Sequence, residues 1–195
     1  MDNPGREHFK ALLRILRYLR GTQNLGLRLS CFSAGDPSVV LSGFSDADWA
    51  GDVDTRRSTS GYFFTLGSGA ISFKTRLQPT VALSSCEAEY ISTCSASQEA
   101  AWIRQVLAEL GFEQLKATPI GEDNQSCIAH CKNSDKHTRM KNLDIKKFFV
   151  QELVEQGTVS HFYVPTTEMP ADIFAKPLGA VLFAKFRALL GVVPL

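Results

Sequence analysis

Apolar residues recur at helical spacing near the start of the chain. Phe9, Leu12, Leu13, Leu16 and Leu19 form one stripe, and Arg6, Lys10, Arg14, Arg17 and Arg20 cover the remainder. The pattern predicts a basic amphipathic helix over 3–20, capped by Asn3, with Pro4 at its first position and Gly21 at its end. A strand is expected at 38–49. A hairpin follows, with strands at 60–66 and 70–76 around Gly67-Ser68-Gly69. No helix follows that Gly-x-Gly, so it reads as a turn and not a phosphate loop. The next helix runs from about Ser84 to Leu110. Ser84 and Glu87 have capping-box spacing, and Gly111 stands past its end.

Residues 118–123 read as a short strand entering a helix at about 124–132. A further helix spans about 138–156 and closes at Gly157. The last strand is 158–164, and a helical pattern then passes through Leu182, Phe186 and Leu189. Early hairpins and late strand–helix–strand units predict an α/β protein, with helices packed on a mixed sheet.

The periodicities also orient acidic residues. Alternation along the first strand puts Asp46 on the same face as Phe44 and Asp48. Asp48 itself reads equally as a strand-end surface charge. On the long helix, Glu87 and Glu89 are about 200° apart, so they cannot face one site. Glu89 lines up with Thr93, Ala96, Ala100, Ile103, Leu107 and Leu110, the stripe expected to face the sheet. Glu87 has the capping role. Asp123 closes a strand and opens a helix, where ligands collect in open sheets, although Asp there also serves as a simple cap.

The chain has 195 residues and a net charge of +1, so no global field draws in nucleic acid and any such binding needs local patches. Lys132, Lys136, Arg139, Lys141, Lys146 and Lys147 form one basic run, which reads equally as a solvated helical face with Asp135 and Asp144 interspersed. No long apolar run or apolar leader is seen, so no membrane partner is expected. The five cysteines contain no Cys-x-x-Cys pair, which favours reduced thiols and an intracellular setting. Cys127, His130, Cys131 and His137 have spacings that a zinc site can use. The plainer reading is small residues packing a short helix.

Four acids stand on recognisable local frames. They are Asp46 in Gly43-Phe44-Ser45-Asp46-Ala47-Asp48-Trp49, Glu89 in Ser84-Ser85-Cys86-Glu87-Ala88-Glu89-Tyr90, Asp123 in Glu122-Asp123-Asn124-Gln125-Ser126, and Asp172 in Met169-Pro170-Ala171-Asp172-Ile173-Phe174-Ala175-Lys176. Their order and frames resemble the ribonuclease H domain of Ty1/copia-type retrotransposon polyproteins. Arg56-Arg57-Ser58-Thr59-Ser60-Gly61 is similar to that family as well. Residues 1–30, through the segment 14–22, resemble the tail of the preceding reverse transcriptase region, which leaves 31–195 as the ribonuclease H domain.

The resemblance implies a ribonuclease H-like fold, with a five-stranded mixed sheet of three antiparallel then two parallel strands and helices on both faces. It implies Asp46, Glu89, Asp123 and Asp172 as catalytic residues and as ligands of two Mg²⁺, with Mn²⁺ as a substitute. It implies substrate contacts from Ser84, Ser85 and Gln125. The expected reaction is cleavage of RNA in RNA–DNA hybrids to 5′-phosphate ends, beside a reverse transcriptase domain of the same polyprotein, in a cytoplasmic particle or the nucleus. Two departures stand out. The loop 165–170 has no histidine, which leaves Glu168 or nothing in its place, and Lys141-Asn142-Leu143 replaces the family's Lys-His-Ile. The alternatives are a silent, domesticated binding module, or an integrase- or transposase-like nuclease of the same fold.

Overall fold

The computed structural model describes residues 4–29, 39–132 and 141–195, with side chains described for all of these except 141–144. Asn3, Cys31, Asp135, Lys136, His137 and Arg139 lie outside the described residues, as do the side chains of Lys141, Asn142, Leu143 and Asp144.

Helix α1 (Arg6–Gly21) starts after Gly5, so Pro4 precedes the cap instead of occupying the first turn. Its apolar stripe buries nothing: Phe9, Leu12, Leu16 and Leu19 are all exposed. It touches the rest of the chain through Tyr18, whose ring meets Phe183 edge-on. Strand β1 (Leu25–Leu27) then pairs antiparallel with β7 (Val192–Pro194) in a separate two-stranded sheet. Three-residue strands carry no readable alternation, and neither was anticipated.

The main sheet contains β2 (Leu41–Ala47), β3 (Thr59–Leu66), β4 (Gly69–Leu77), β5 (Thr118–Glu122) and β6 (Val159–Tyr163). Its order is β4-β3-β2-β5-β6. β2, β3 and β4 are antiparallel neighbours, while β5 pairs parallel with both β2 and β6. This is the expected five-stranded mixed sheet.

Alternation along the strands divides two cores. Leu41, Tyr62, Phe64 and Ile120 face α2 (Ser85–Glu109), meeting Ala96, Ala100, Ile103 and Leu107. Leu110 leaves that stripe and is exposed, because the helix ends and Gly111 turns the chain at φ +83°. On the other face, Phe63 and Phe44 pack with Met169, Ala171 and Leu190 from the C-terminal segment. Helices therefore cover both faces. α3 (Gln125–Lys132) and α4 (Lys141–Glu155) pack beside α2, and α5 (Asp172–Ala175) lies on β2, β3 and β4. α6 (Ala180–Leu189) leads into β7. No described helix is long and apolar enough to cross a membrane.

One glycine positions the C-terminal segment. A Cβ on Gly61 would sit 2.7 Å from Phe174 Cβ and 2.8 Å from its carbonyl carbon. Only glycine lets α5 approach the sheet so closely. Gly61 is also the register partner of Asp46, so the same contact delivers Asp172 to the end of β2.

Candidate metal centre

The start of α2 sorts its two glutamates. Ser84 caps the helix, its Oγ accepting from Glu87 N at 3.1 Å, while Glu87 Oε2 accepts from Leu83 N at 2.7 Å. Glu87 is thereby turned back to the loop. Glu89, about 200° further round, is buried. The phase expected from the apolar stripe is the phase observed.

At the end of β5 the capping role belongs to Asn124, whose Oδ1 accepts from Cys127 N at 3.0 Å. That leaves Asp123 free of it. Asp46, Glu89 and Asp123 each offer one carboxylate oxygen, and these oxygens all lie within 4.8 Å of one another. No other such group of three or more His, Cys, Asp or Glu occurs among the described residues. Asp172, the first residue of α5, is buried but stands outside the trio. It joins the site through Lys176, whose Nζ donates to Asp172 Oδ1 at 2.7 Å and to Asp46 Oδ1 at 2.8 Å.

Burial dominates the electrostatics. It pushes Asp46 up to about 7; Lys176 opposes the rise, and Asp172 and Asp123 add to it. Burial pushes Glu89 up to about 11, with further repulsion from Glu122, Asp46 and Asp123. Burial alone would lower the Lys176 ammonium, but Asp46 and Asp172 outweigh it and hold it above the ordinary lysine value. Asp46 Oδ2 and Glu89 Oε2 are buried without a hydrogen-bond partner. Clustered oxygen donors with orphaned buried atoms fit a hard divalent cation, which takes oxygen ligands and offsets their mutual repulsion.

Two members of the site were not anticipated. Glu122 is fully buried, with Oε2 accepting from Thr93 Oγ1 at 2.7 Å and Ser45 Oγ at 3.1 Å. Burial raises it to about 8, against the pull of Thr93 and the Asn124 N–H. Alternation from Ile120 points to it. Lys176 is marked by its i, i+4 spacing from Asp172.

The remaining candidates have plainer surroundings. Ser84, Ser85 and Gln125 are exposed at the first turns of α2 and α3; Ser85 is one turn before Glu89, and Gln125 two residues after Asp123. Asp48 is tied to Thr59, whose backbone N donates to its Oδ1. Cys127 and Cys131 pack with Tyr90, Cys94 and Val150, whereas His130 is exposed, which matches the packing reading of that helix. Glu168 is exposed on a 3-10 turn, Thr166–Glu168.

Comparison with known proteins gives this geometry a setting. No protein-family model matches the chain. It is 41% identical over 192 residues to the retrovirus-related Pol polyprotein from transposon TNT 1-94 of Nicotiana tabacum, covering 98% of this chain and 14% of that protein. It is 40% identical over 192 residues to the corresponding polyprotein from transposon RE1 of Arabidopsis thaliana, covering 98% of this chain and 13% of that protein. A stretch of 102 residues is 52% identical to the secreted RxLR effector protein 161 of Plasmopara viticola, covering 52% of this chain and 69% of that one. Among solved structures, LC11 ribonuclease H1 superposes with a TM-score of 0.53 at 11% identity, over 70% of this chain and 92% of that chain. The same enzyme in complex with RNA/DNA hybrid gives 0.52 at 11% identity, over 69% and 93%.

Sheet order, helix placement and these superpositions define a protein of ribonuclease H fold. Over 98% of its length the chain is similar to the retrovirus-related Pol polyproteins of transposons, and it spans a small part, 13–14%, of the relatives just named.

Proposed function

We propose that this domain is a divalent-metal-dependent nuclease that hydrolyses the RNA strand of RNA–DNA hybrids during reverse transcription of a transposon. The carrying observation is the convergence of Asp46, Glu89 and Asp123 oxygens within 4.8 Å, drawn from β2, α2 and the turn between β5 and α3. The relatives' names and the fold support the setting, with a reverse transcriptase of the same polyprotein as the natural partner.

Asp46, Glu89 and Asp123 would hold Mg²⁺, Asp172 completing the set from α5; Mn²⁺ substitutes. The bound ions would lower the pKa of water and offset charge building on the phosphate oxygens. The protein's own work is positioning. Ser45 and Thr93 fix Glu122 behind the trio, and Lys176 fixes one oxygen of Asp46, which leaves Oδ2 for the cation. Exposed Ser84, Ser85 and Gln125 flank the carboxylates, where a hybrid's minor groove offers 2′-hydroxyls. Water adds across the P–O3′ bond, leaving a 5′-phosphate and a 3′-hydroxyl.

The test is hydrolysis of an end-labelled hybrid with Mg²⁺ and with EDTA. Cleavage that appears only with metal supports the reading. A folded, metal-replete sample that leaves the hybrid intact overturns it.

A further inference from the structure

Lys176 closes α5, and its backbone N–H donates to Asp172 O at 2.8 Å. That turn brings its side chain back over the Asp172 carboxylate. The ammonium then bridges two acids from different elements, Asp172 Oδ1 at 2.7 Å and Asp46 Oδ1 at 2.8 Å. Among the described residues, neither acid has another ion pair. Without the bridge, two carboxylates would face each other uncompensated.

The bridge divides the acids into two groups. Asp46, Glu89 and Asp123 present oxygens within 4.8 Å of one another, and Asp172 stands outside that set. Asp46 belongs to both groups, with Oδ1 on Lys176 and Oδ2 buried without a partner. Oδ2 and the equally orphaned Glu89 Oε2 can meet a cation with no movement of Lys176. Asp46 Oδ1 and Asp172 Oδ1 cannot. Mg²⁺ sits about 2.0–2.1 Å from its oxygens, so it and an ammonium cannot share the space between the same two.

Exposure decides which group yields. The Asp46 side chain is 0% exposed and that of Asp172 9%, against 30% for Lys176. A flexible lysine stem can carry its ammonium out to water, whereas the carboxylates are held in the fold.

We propose that Lys176 is a built-in stand-in for a second cation: its ammonium holds Asp46 and Asp172 together in the metal-free site and must swing out to solvent before a divalent ion can bridge them. The inference rests on the metal-centre reading above and adds an order of loading to it. The first ion meets no competitor in the trio. The second competes with the protein's own cation.

Two measurements of metal binding test this, neither of which uses nucleic acid. Lysine ¹⁵N NMR of the unaltered chain follows the Lys176 ammonium, assigned by its absence from K176R. Held by two carboxylates, the ammonium should exchange protons slowly and give a resolved signal in EDTA. That signal should survive filling of the first Mg²⁺ site and vanish as the second fills. Mn²⁺ titration followed by electron paramagnetic resonance then compares the unaltered chain with K176R, K176M and D172N. The unaltered chain and K176R should bind one ion and then a second more weakly. K176M should tighten the second by about tenfold or more, because no charge-assisted hydrogen bonds have to break. D172N should keep the first ion and lose the second.

A Lys176 signal unmoved at saturating Mg²⁺ would overturn the proposal, as would equal second-ion affinity in K176M and the unaltered chain. Weakening of both ions in K176M would reduce Lys176 to a structural strut and overturn it as well. The NMR measurement uses the unaltered fold, so it decides even where K176M is too unstable to titrate. Ammonium release by Mg²⁺ in a chain that cuts no hybrid would keep the proposal and sink the nuclease reading. Metal-dependent cleavage with the ammonium unmoved would do the reverse.

Discussion

Lys176 Nζ lies 2.8 Å from Asp46 Oδ1, an ion pair that joins residues 130 positions apart and ties α5 to the end of β2. The carboxylate is fully buried and the ammonium only partly so. Removing the cation strands a buried charge, so Lys176→Met should destabilise the metal-free fold by about 2 kcal/mol, below the ~3–5 kcal/mol of a fully buried pair. Urea denaturation in EDTA measures this. Part of the loss should return with Mg²⁺, which supplies the missing positive charge. An unchanged unfolding midpoint would remove Lys176 from the account.

The raised carboxylates make metal-free stability depend on pH in an unusual sense. In the unfolded chain, Asp and Glu are ionised well below pH 7. In the folded chain, Asp46 titrates near 7, Glu122 near 8 and Glu89 near 11. The native state therefore binds more protons, and stability falls as pH rises from 7 to 8. His161, held near 4 by burial, acts in the opposite sense, mostly below this window. Thermal unfolding in EDTA should show a declining midpoint from pH 7 to 8. The Mg²⁺-induced rise in midpoint should grow over the same range, because the cation replaces protons. A metal-free midpoint that climbs with pH contradicts this arrangement.

The two glutamates of α2 should behave oppositely on substitution. Glu89→Gln removes a buried ligand charge and should abolish hybrid cleavage. Glu87→Gln touches only the bond to Leu83 N, costing about 1 kcal/mol or less with activity retained. Rates and unfolding midpoints for both variants decide the matter. An inactive Glu87→Gln beside an active Glu89→Gln would reverse the assignment.

The legible parts of this protein are those that periodicity governs. Alternation along the first strand put Asp46 on the face of Phe44, and the stripe below Glu89 gave the helix phase, because burial enforces both. Pairing of β1 with β7 joins residues near opposite ends of the described chain, which no local pattern encodes. Leu110 was misplaced because a stripe read by periodicity does not show where its helix stops meeting the sheet. The local frames named the acids but not their company. Glu122 was overshadowed by its neighbour Asp123. The distance of Asp172 from the trio depends on the Gly61–Phe174 contact, a tertiary fact.

Charge-neutral replacements test the trio without disturbing its shape. Asp46→Asn and Asp123→Asn should each lower hybrid cleavage by about 10²-fold or more, since one lost ligand charge weakens both metal binding and transition-state stabilisation. Circular dichroism should show the fold intact. Near-normal rates from either folded variant would dismantle the proposed centre.

Central to all of this is the claim that the carboxylates serve RNA cleavage within a hybrid. The most direct measurement is a side-by-side cleavage time course on labelled RNA–DNA hybrid, duplex DNA and duplex RNA, in Mg²⁺ and in Mn²⁺. The expected result is metal-dependent cutting of the hybrid's RNA strand, with little or none of either homoduplex, because contacts to 2′-hydroxyls on one strand and to DNA on the other select the substrate. Equal cutting of duplex DNA would contradict it and point to an integrase-like nuclease, while salt-sensitive binding without cutting would point to a silent binding module.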